Sequence, residues 1–562
     1  MVEKDGPVTG PQRPGPLRPV PAAWPVHLAM LAVVLTAILG SRVAVEPASA
    51  GLAATHASIA AAVYLVVWAL ARYIGNGDEL QIALAVGGAA AAVYFLIQYQ
   101  YLALDAKVPA LDALARGISR PFRQYEWWAP VPNSLATLLD GVAGAALGLA
   151  LGRGRTAGRA VAAAALGVVL LAVVASASRG SWLAVGGSVA AGFWVARRLP
   201  LPPLAAGLAL LVAAVAAVTA GAVGASPPWW VRAAAAAGRP DRLDVFQHAA
   251  TLLRDMPFTG IGAGDQFAYH LSKYALLIQV PFLTYSHNLV FEQWLEYGLA
   301  GLAAWIALAV ATLVVAAAGE RAGTGWRFRG LWVGLLAVHL HGVSDARQSI
   351  DAWTWIPFVV LTALLAARAG RHGLRLGRAG AAAPLGAVLV VGLAIVAARG
   401  SIIAAWQANR GAVAQARADL VDGADAEAWS AEAERRFQAA LAADPNDVPA
   451  RRRYGLLALD RGRFELAREH LRYAERLDPA TRSTRKGAGL AALWSGDLDE
   501  AVRLLRGLPA ITDELNAWSQ WRRSRDEVAL ARHAARVSLT LDPAQPEVAQ
   551  WLAQLDGAWP QR

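Results

Sequence analysis

The chain of 562 residues contains no cysteine. That absence excludes disulfides, Cys-based zinc or iron–sulfur sites and a thiol nucleophile. It leaves the compartment open, because a domain can face an oxidising space without disulfides. Charge is scarce too: Asp, Glu, Lys and Arg make up 17% of the residues, where soluble domains carry about 25%. Hydrophobic residues reach 56%. A single soluble domain is excluded as the simple reading, and so is a disordered chain. The length allows two or more folded units. The formal charge is +11. In a soluble protein that excess would point to nucleic acid; in a chain this apolar it is read first as membrane topology.

Apolar stretches of bilayer-spanning length, about 20 residues, recur from residue 22 to about 404. Eleven spans are predicted, at 24–40, 54–71, 80–98, 133–152, 160–177, 181–196, 201–224, 296–318, 330–345, 353–369 and 382–404. Many are rich in Ala and Gly, which lets helices approach closely. The first follows a Pro-rich tail without a clear small-residue cleavage site, so it reads as a retained span. Arg clusters in short connections on one side: Arg153, Arg155 and Arg159; Arg197 and Arg198; Arg321, Arg327 and Arg329; Arg368, Arg371, Arg375 and Arg378. The positive-inside rule then puts the N-terminus in the cytoplasm and, with eleven spans, the C-terminus outside. Trp24, Trp182, Trp194, Trp326 and Trp353 lie near predicted span ends, as interfacial anchors do.

Beyond about residue 405 the composition turns to Arg, Glu, Asp and Ala with helical periodicity. Asp444-Pro445 and Asp478-Pro479 lie 34 residues apart, as do Gly462 and Gly496, and Ala467 and Ala501. This resembles the tetratricopeptide repeat, whose period is 34; Leu541-Asp542-Pro543 would end a further, irregular unit. A plain helical bundle is the alternative. The expected fold is all-α: a cytoplasmic tail at 1–22, a membrane domain at 23–404 with an outer loop at 226–286, and an extracytoplasmic repeat domain at 405–562.

Three places on the predicted outer side carry candidate chemistry. One is Ser178-Arg179-Gly180-Ser181-Trp182, a short turn between spans. The second runs from Gly238-Arg239-Pro240-Asp241-Arg242 to Pro257-Phe258-Thr259-Gly260-Ile261-Gly262-Ala263-Gly264. The third is Ser286-His287-Asn288, with Glu292, Glu296-Tyr297-Gly298 and Gly301 following. In this order they resemble the O-antigen ligase and polymerase family of bacterial membrane glycosyltransferases, over roughly residues 160–350. The resemblance implies a membrane fold of the lipid-carrier-dependent glycosyltransferase class. It implies transfer of a glycan from an undecaprenyl-diphosphate carrier to an acceptor hydroxyl, with inversion, at the outer face of the bacterial inner membrane. The acceptor would be a lipid A-core sugar, another glycan or a protein side chain. Appended tetratricopeptide repeats also occur in that family.

The residues argue in the same direction by themselves. A departing lipid diphosphate needs cationic groups. No metal-binding motif is evident in the outer loops, and no cofactor is expected. Arginine suits diphosphate because its planar fork gives two parallel bonds. Arg179 and Arg242 are the main candidates, with Arg239 a weaker third; the bland readings are lipid-headgroup snorkelling for Arg179 and a surface ion pair with Asp241 or Asp244 for Arg242. The acceptor hydroxyl must lose a proton, and His287 is placed to take it or, as a cation, to bind diphosphate. Asn288 and Glu296 fit supporting roles. Gly260–Gly264 lacks the preceding strand of a nucleotide loop; Leu243–Arg254 reads as an amphipathic helix. The turn, with Gly262 a candidate for ligand contact, reads as a close backbone approach or as plain flexibility. His341 and Asp345, one helical turn apart, with His339 and Arg347, form a second-tier candidate for orienting carrier or acceptor. His248 and His270 have no evident partner. Lys107, Arg116, Arg120, Arg123, Tyr125, Trp127 and Trp128 suit an interfacial segment.

The leading expectation is a glycan ligase. A polymerase or a protein O-oligosaccharyltransferase would share its donor chemistry. A lipid-linked-glycan transporter or a scaffold is the reading from another class, but a transporter predicts charges in a central cavity and internal repeats, neither of which is evident. Partners would be the carrier-linked glycan, an acceptor, the bilayer and a protein on the repeats; nucleic acid is not expected.

Overall fold

The computed structural model describes residues 23–73, 77–99, 108–125, 131–196, 241–264, 266–278, 283–321, 323–345, 353–369 and 399–557. All regular structure among them is helical. The first part comprises α1 (Trp24–Val43), α2 (Pro47–Tyr73), α3 (Asp78–Gln98), the short amphipathic α4 (Pro109–Ser119), α5 (Pro132–Leu151), α6 (Thr156–Ala175) and α7 (Arg179–Ala196). Next come α8 (Asp241–Asp255), α9 (Gln266–His270, continued by a π-helical turn at Leu271–Leu276), α10 (Leu289–Arg321), α11 (Trp326–Gly342) and α12 (Ile356–Ala369). Six described helices are long and apolar enough to cross a bilayer: α1, α2, α3, α5, α6 and α10. The protein is an all-α polytopic membrane protein. α7, α11 and α12 coincide with three more expected spans but are shorter or more polar. The span expected at 201–224 lies outside the described residues, as does the span expected at 382–404 up to residue 398; its last residues, from Arg399, begin a helix of the second part.

Helix α5 is the centre of this bundle, with most of its length enclosed by α3, α6, α7 and α11. Its approach to α11 depends on small residues. A Cβ on Gly148 would lie 2.8 Å from the Cα of Gly330, and Gly144 meets the backbone of Gly334 as closely. Lipid offers no hydrophobic drive between helices, so backbone-on-backbone contact of this kind supplies the attraction. At the Arg-rich end of the bundle, Asp78 pairs with Arg327 and, at 2.6 Å, with Arg368. Arg329 makes a two-pronged contact with Glu320. Several of the arginines that indicated topology are therefore also interhelical ties.

The second part comprises α13 (Arg399–Ala418), α14 (Gly423–Ala443), α15 (Val448–Asp460), α16 (Phe464–Leu477), α17 (Arg482–Ser495), α18 (Leu498–Leu505), α19 (Ile511–Ser524), α20 (Val528–Leu541) and α21 (Pro546–Leu555). The continuous helix α13 runs through the domain boundary expected at 404/405. The starts of α15 and α17 are 34 residues apart, as are those of α16 and α18. Each helix pair packs on the next, and left-handed Gly496 closes α17.

These helices seat directly on the segment 244–276. Arg452 and Arg453, both almost fully buried, need partners there. Arg452 pairs with buried Asp255 and donates to the Tyr274 carbonyl at 2.6 Å. The Arg453 guanidinium lies 3.5 Å from the Tyr274 ring centre. Arg254–Asp478 (3.0 Å), Arg482–Asp244 (3.1 Å), Lys273–Asp419 (2.7 Å) and Lys486 to the Leu276 carbonyl (2.9 Å) complete the seam. Asp244, considered as a partner for Arg242, is thus engaged by Arg482.

Candidate active site

Helix α5 presents Asn133, Thr137 and Asp140 at successive turns on the face toward α11. Asp140 Oδ2 lies 2.6 Å from His341 Nδ1, and Asp140 Oδ1 accepts from the Ser181 hydroxyl. His341 Nε2 lies 3.2 Å from Ser178 Oγ. With its Nδ1 proton toward the carboxylate, a neutral ring accepts from Ser178 at Nε2, an assignment that rests on this network. All four side chains are at most 4% exposed. The turn that enters α7 is held accordingly. Ala177 adopts a left-handed φ of 52°, uncommon for a residue with a Cβ. A Cβ on Gly180 would press within 3.0 Å of the His341 ring and closer still to the Ser344 hydroxyl, so any other residue would have to displace Ser344 and crowd His341. Arg179, between these two anchors, is exposed and has no ion-pair partner among the described residues.

The turn before α10 docks on the same end of α11. Asn288 caps α10: its Oδ1 accepts from Val290 N at 2.9 Å and Phe291 N at 3.1 Å, while its Nδ2 donates to the Val343 carbonyl at 2.8 Å. His287 has a φ of 58°, a strained state that persists only where its surroundings enforce it. Here Tyr285 tilts against its ring at 4.0 Å between centroids. His287 Nδ1 lies 3.8 Å from Asp345 Oδ1, and Asp345 Oδ2 accepts from Asn133 at 2.8 Å. His341 and Asp345, one turn apart, therefore serve different partners: His341 holds the Ser178–Ser181 turn and Asp345 faces His287.

The glycine motif has a structural task. Helix α10 breaks at Gly298 (φ 67°). Into that break fits the turn 257–262: Ile261 N donates to the Leu295 carbonyl at 2.7 Å, Gly262 N to the same oxygen at 3.3 Å, and Leu299 N to the Pro257 carbonyl at 3.0 Å. Asn409 of α13 accepts from Phe258 N at 2.9 Å and Thr259 N at 3.2 Å. A Cβ at Gly298 would strike the Phe258 carbonyl.

Several expected contacts change role. The Gly262 amide is committed to Leu295, and Gly262 packs on Ala44, so it is not a ligand donor. The polar atoms of the Asn288 side chain are all used within the protein. His341 is 1% exposed, and its ring nitrogens face Ser178 and Asp140. Arg242 falls in the first turn of α8, one turn before Phe246, whose ring meets Phe291 of α10 edge-on at 5.7 Å. The Arg242 side chain, Arg239 and Arg347 lie outside the described residues. Sequence reasoning missed Asn133, Thr137 and Asp140; Asp140, the only charged residue within the apolar stretch 133–152, is the signal that could have exposed them.

The geometry defines a polytopic membrane protein with two histidine–aspartate pairs at one end of its helix bundle. Residues 162–306 match the family model described as O-antigen ligase, so this segment is similar to that family. That match takes in Arg179, Arg242 and His287. No curated protein matches the chain.

Proposed function

We propose that the protein transfers a glycan from an undecaprenyl-diphosphate carrier to an acceptor hydroxyl at the outer face of the bacterial inner membrane. The observation that carries this reading is that the Arg179 turn and the His287 turn both dock at the C-terminal end of α11. The first docks through Ser178 and His341, the second through Asn288 and the Val343 carbonyl, with Asp345 3.8 Å from His287. Arg179 and Arg242 hold the diphosphate. The acceptor oxygen attacks the anomeric carbon as the carbon–oxygen bond to phosphate breaks. The electron pair leaves on the diphosphate, and the hydroxyl proton passes to His287. Asp345, 3.8 Å from that ring, orients it, as a carboxylate does beside a catalytic imidazole. Direct displacement gives inversion, and the arginines take the place of a metal ion.

In this reading the N-terminus is cytoplasmic. Helices α13–α21, seated on the 244–276 segment, stand on the extracytoplasmic side as a tetratricopeptide-type solenoid that offers a surface to a protein partner.

The test is reconstitution with undecaprenyl-diphosphate-linked oligosaccharide and candidate acceptors. Arg179→Ala, Arg242→Ala and His287→Ala should each lower kcat/KM by about 100-fold or more, with normal membrane insertion. Transfer should survive EDTA. Retained transfer in all three variants would overturn the assignment; a single product size marks a ligase and a ladder marks a polymerase.

A further inference from the structure

A half-open cavity of 470 Å³ lies beside the His287 turn, lined mainly by α1, α2, α10 and α12. Its volume falls in the range of ligand sites, about 300–1,000 Å³. One end is polar, with Glu292, Gln293, Glu296 and His56. The other is hydrocarbon, formed by Met30, Leu308 and Phe358 among others.

The polar end carries two carboxylates one helical turn apart. Glu292 and Glu296 are 3% and 8% exposed, and neither has an ion-pair partner among the described residues. Glu292 Oε2 accepts from Ser286 N at 2.9 Å and from the Ser286 hydroxyl. Its Oε1 makes no hydrogen bond among the described residues. Among the described residues the cavity is lined by no Arg or Lys that would meet a diphosphate. Its two carboxyl groups can hydrogen-bond hydroxyl groups in either protonation state. Ser286 is the residue before His287, so a hydroxyl bound at Glu292 approaches the histidine assigned to take its proton. The apolar end suits an alkyl chain, and the outer faces of α1 and α2 expose Leu31, Leu35 and Ile59 as a lipid-facing wall does.

We propose that this cavity is the acceptor site and that its occupant is an uncharged, lipid-anchored glycan, with its sugar hydroxyls at Glu292 and Glu296 and its hydrocarbon against Met30, Leu308 and Phe358. The diphosphate carrier binds elsewhere, at Arg179. The assignment of donor and acceptor rests on the transferase reading; occupation of the cavity by a neutral glycolipid does not.

Ala53 and Ala57 line the cavity from successive turns of α2. Ala53→Phe and Ala57→Phe, made separately, should each raise the acceptor KM by about tenfold and leave the donor KM within about twofold. A rise in the donor KM alone would assign the cavity to the carrier and overturn the proposal, as would unchanged constants in a folded variant. A second measurement needs neither variants nor transfer. The full-length protein in nanodiscs is photolabelled with a diacylglycerol-linked disaccharide carrying a diazirine on its acyl chain. Label in α2, α10 and α12, displaced by unlabelled disaccharide lipid and not by undecaprenyl diphosphate, is the expected result. Label confined to other helices would refute the site. Labelling as expected in a protein that transfers nothing would refute the transferase reading and leave the glycolipid site standing.

Discussion

The two halves of this molecule are both made of packed helices, yet they cohere by different means. Between α5 and α11 the contact is nearly backbone on backbone, through Gly144, Gly148, Gly330 and Gly334. Between α8–α9 and the C-terminal helices it runs through Arg452, Arg453, Asp255, Lys273 and Asp419. The solvent explains the contrast. In a bilayer, apolar side chains gain nothing by leaving lipid, so close van der Waals approach must do the work. In water, apolar burial is available, and polar ties add register and specificity. The candidate site lies where the two regimes meet. Its buried histidine–aspartate–serine chain sits in the glycine-packed half, while Asn409 of the other half holds the 257–262 turn.

The contrast can be broken from either side. Gly144→Leu should have the largest effect. Its side chain would enter the backbone of α11, so the bundle should fail to assemble, lost as a monodisperse species in detergent. Because α5 carries Asp140 and α11 carries His341, transfer should vanish with it. Arg452→Ala should be next. It leaves Asp255 buried with only Arg453 at 3.7 Å, and removing one partner of a buried pair costs about 3–5 kcal/mol. The C-terminal helices should melt earlier or come away from the loop, read by limited proteolysis, while α1–α7 stay protected.

A smaller effect concerns acid. Burial is the main cause that lowers His270 to a pKa of about 3 and His248 to about 4, with neighbouring cations such as Arg453 adding to it for His270. The folded seam keeps both rings neutral, whereas the unfolded chain takes up their protons below about 6.5. Their contribution is therefore complete above about pH 6.5 and is lost as the pH falls toward 4 and then 3. Asp460, raised to about 6 by burial, acts in the opposite sense: its contribution is present at low pH and is lost as the pH rises through about 6. His470 and His533, lowered chiefly by burial, and Glu432 and Glu434, lowered chiefly by hydrogen bonds from arginines, add to the loss on acidification. Asp447 and Glu514, raised chiefly by burial, oppose it with Asp460. With more groups on the first side, the melting midpoint of the C-terminal half should fall from pH 7 to pH 4. Neither ring nitrogen of His270 has a hydrogen-bond partner among the described residues. His270→Phe should therefore change stability at pH 7 by only about 1 kcal/mol or less and weaken the acid dependence. An unchanged pH profile would remove His270 from the account.

Much of this was legible in the residues. The apolar runs placed α1, α2, α3, α5 and α6, and the Ser178, Pro257 and Ser286 motifs led to the family that residues 162–306 match. Local pattern could not tell which atoms are spent inside the protein. Asn288 reads from the sequence as a substrate contact, but its amide donates to the carbonyl of Val343, 55 residues away in sequence. His341 and Asp345 share a helical face, but their partners come from α5, α7 and the His287 turn. Gly262 belongs to a ligand-like motif, yet its amide fills a helix break at Gly298.

Hydrophobic run length and one-sided arginine are properties of the chain alone. They determine that this protein is helical, membrane-embedded and divided into an apolar part and a charged part, because transfer into lipid depends on composition summed over about 20 residues. Which of its polar groups remain open to a ligand was decided only by tertiary structure. A hydrogen bond or a carboxylate–imidazole contact depends on a few ångströms between residues hundreds apart in sequence, and only the packing of α5, α7, α10 and α11 sets those distances.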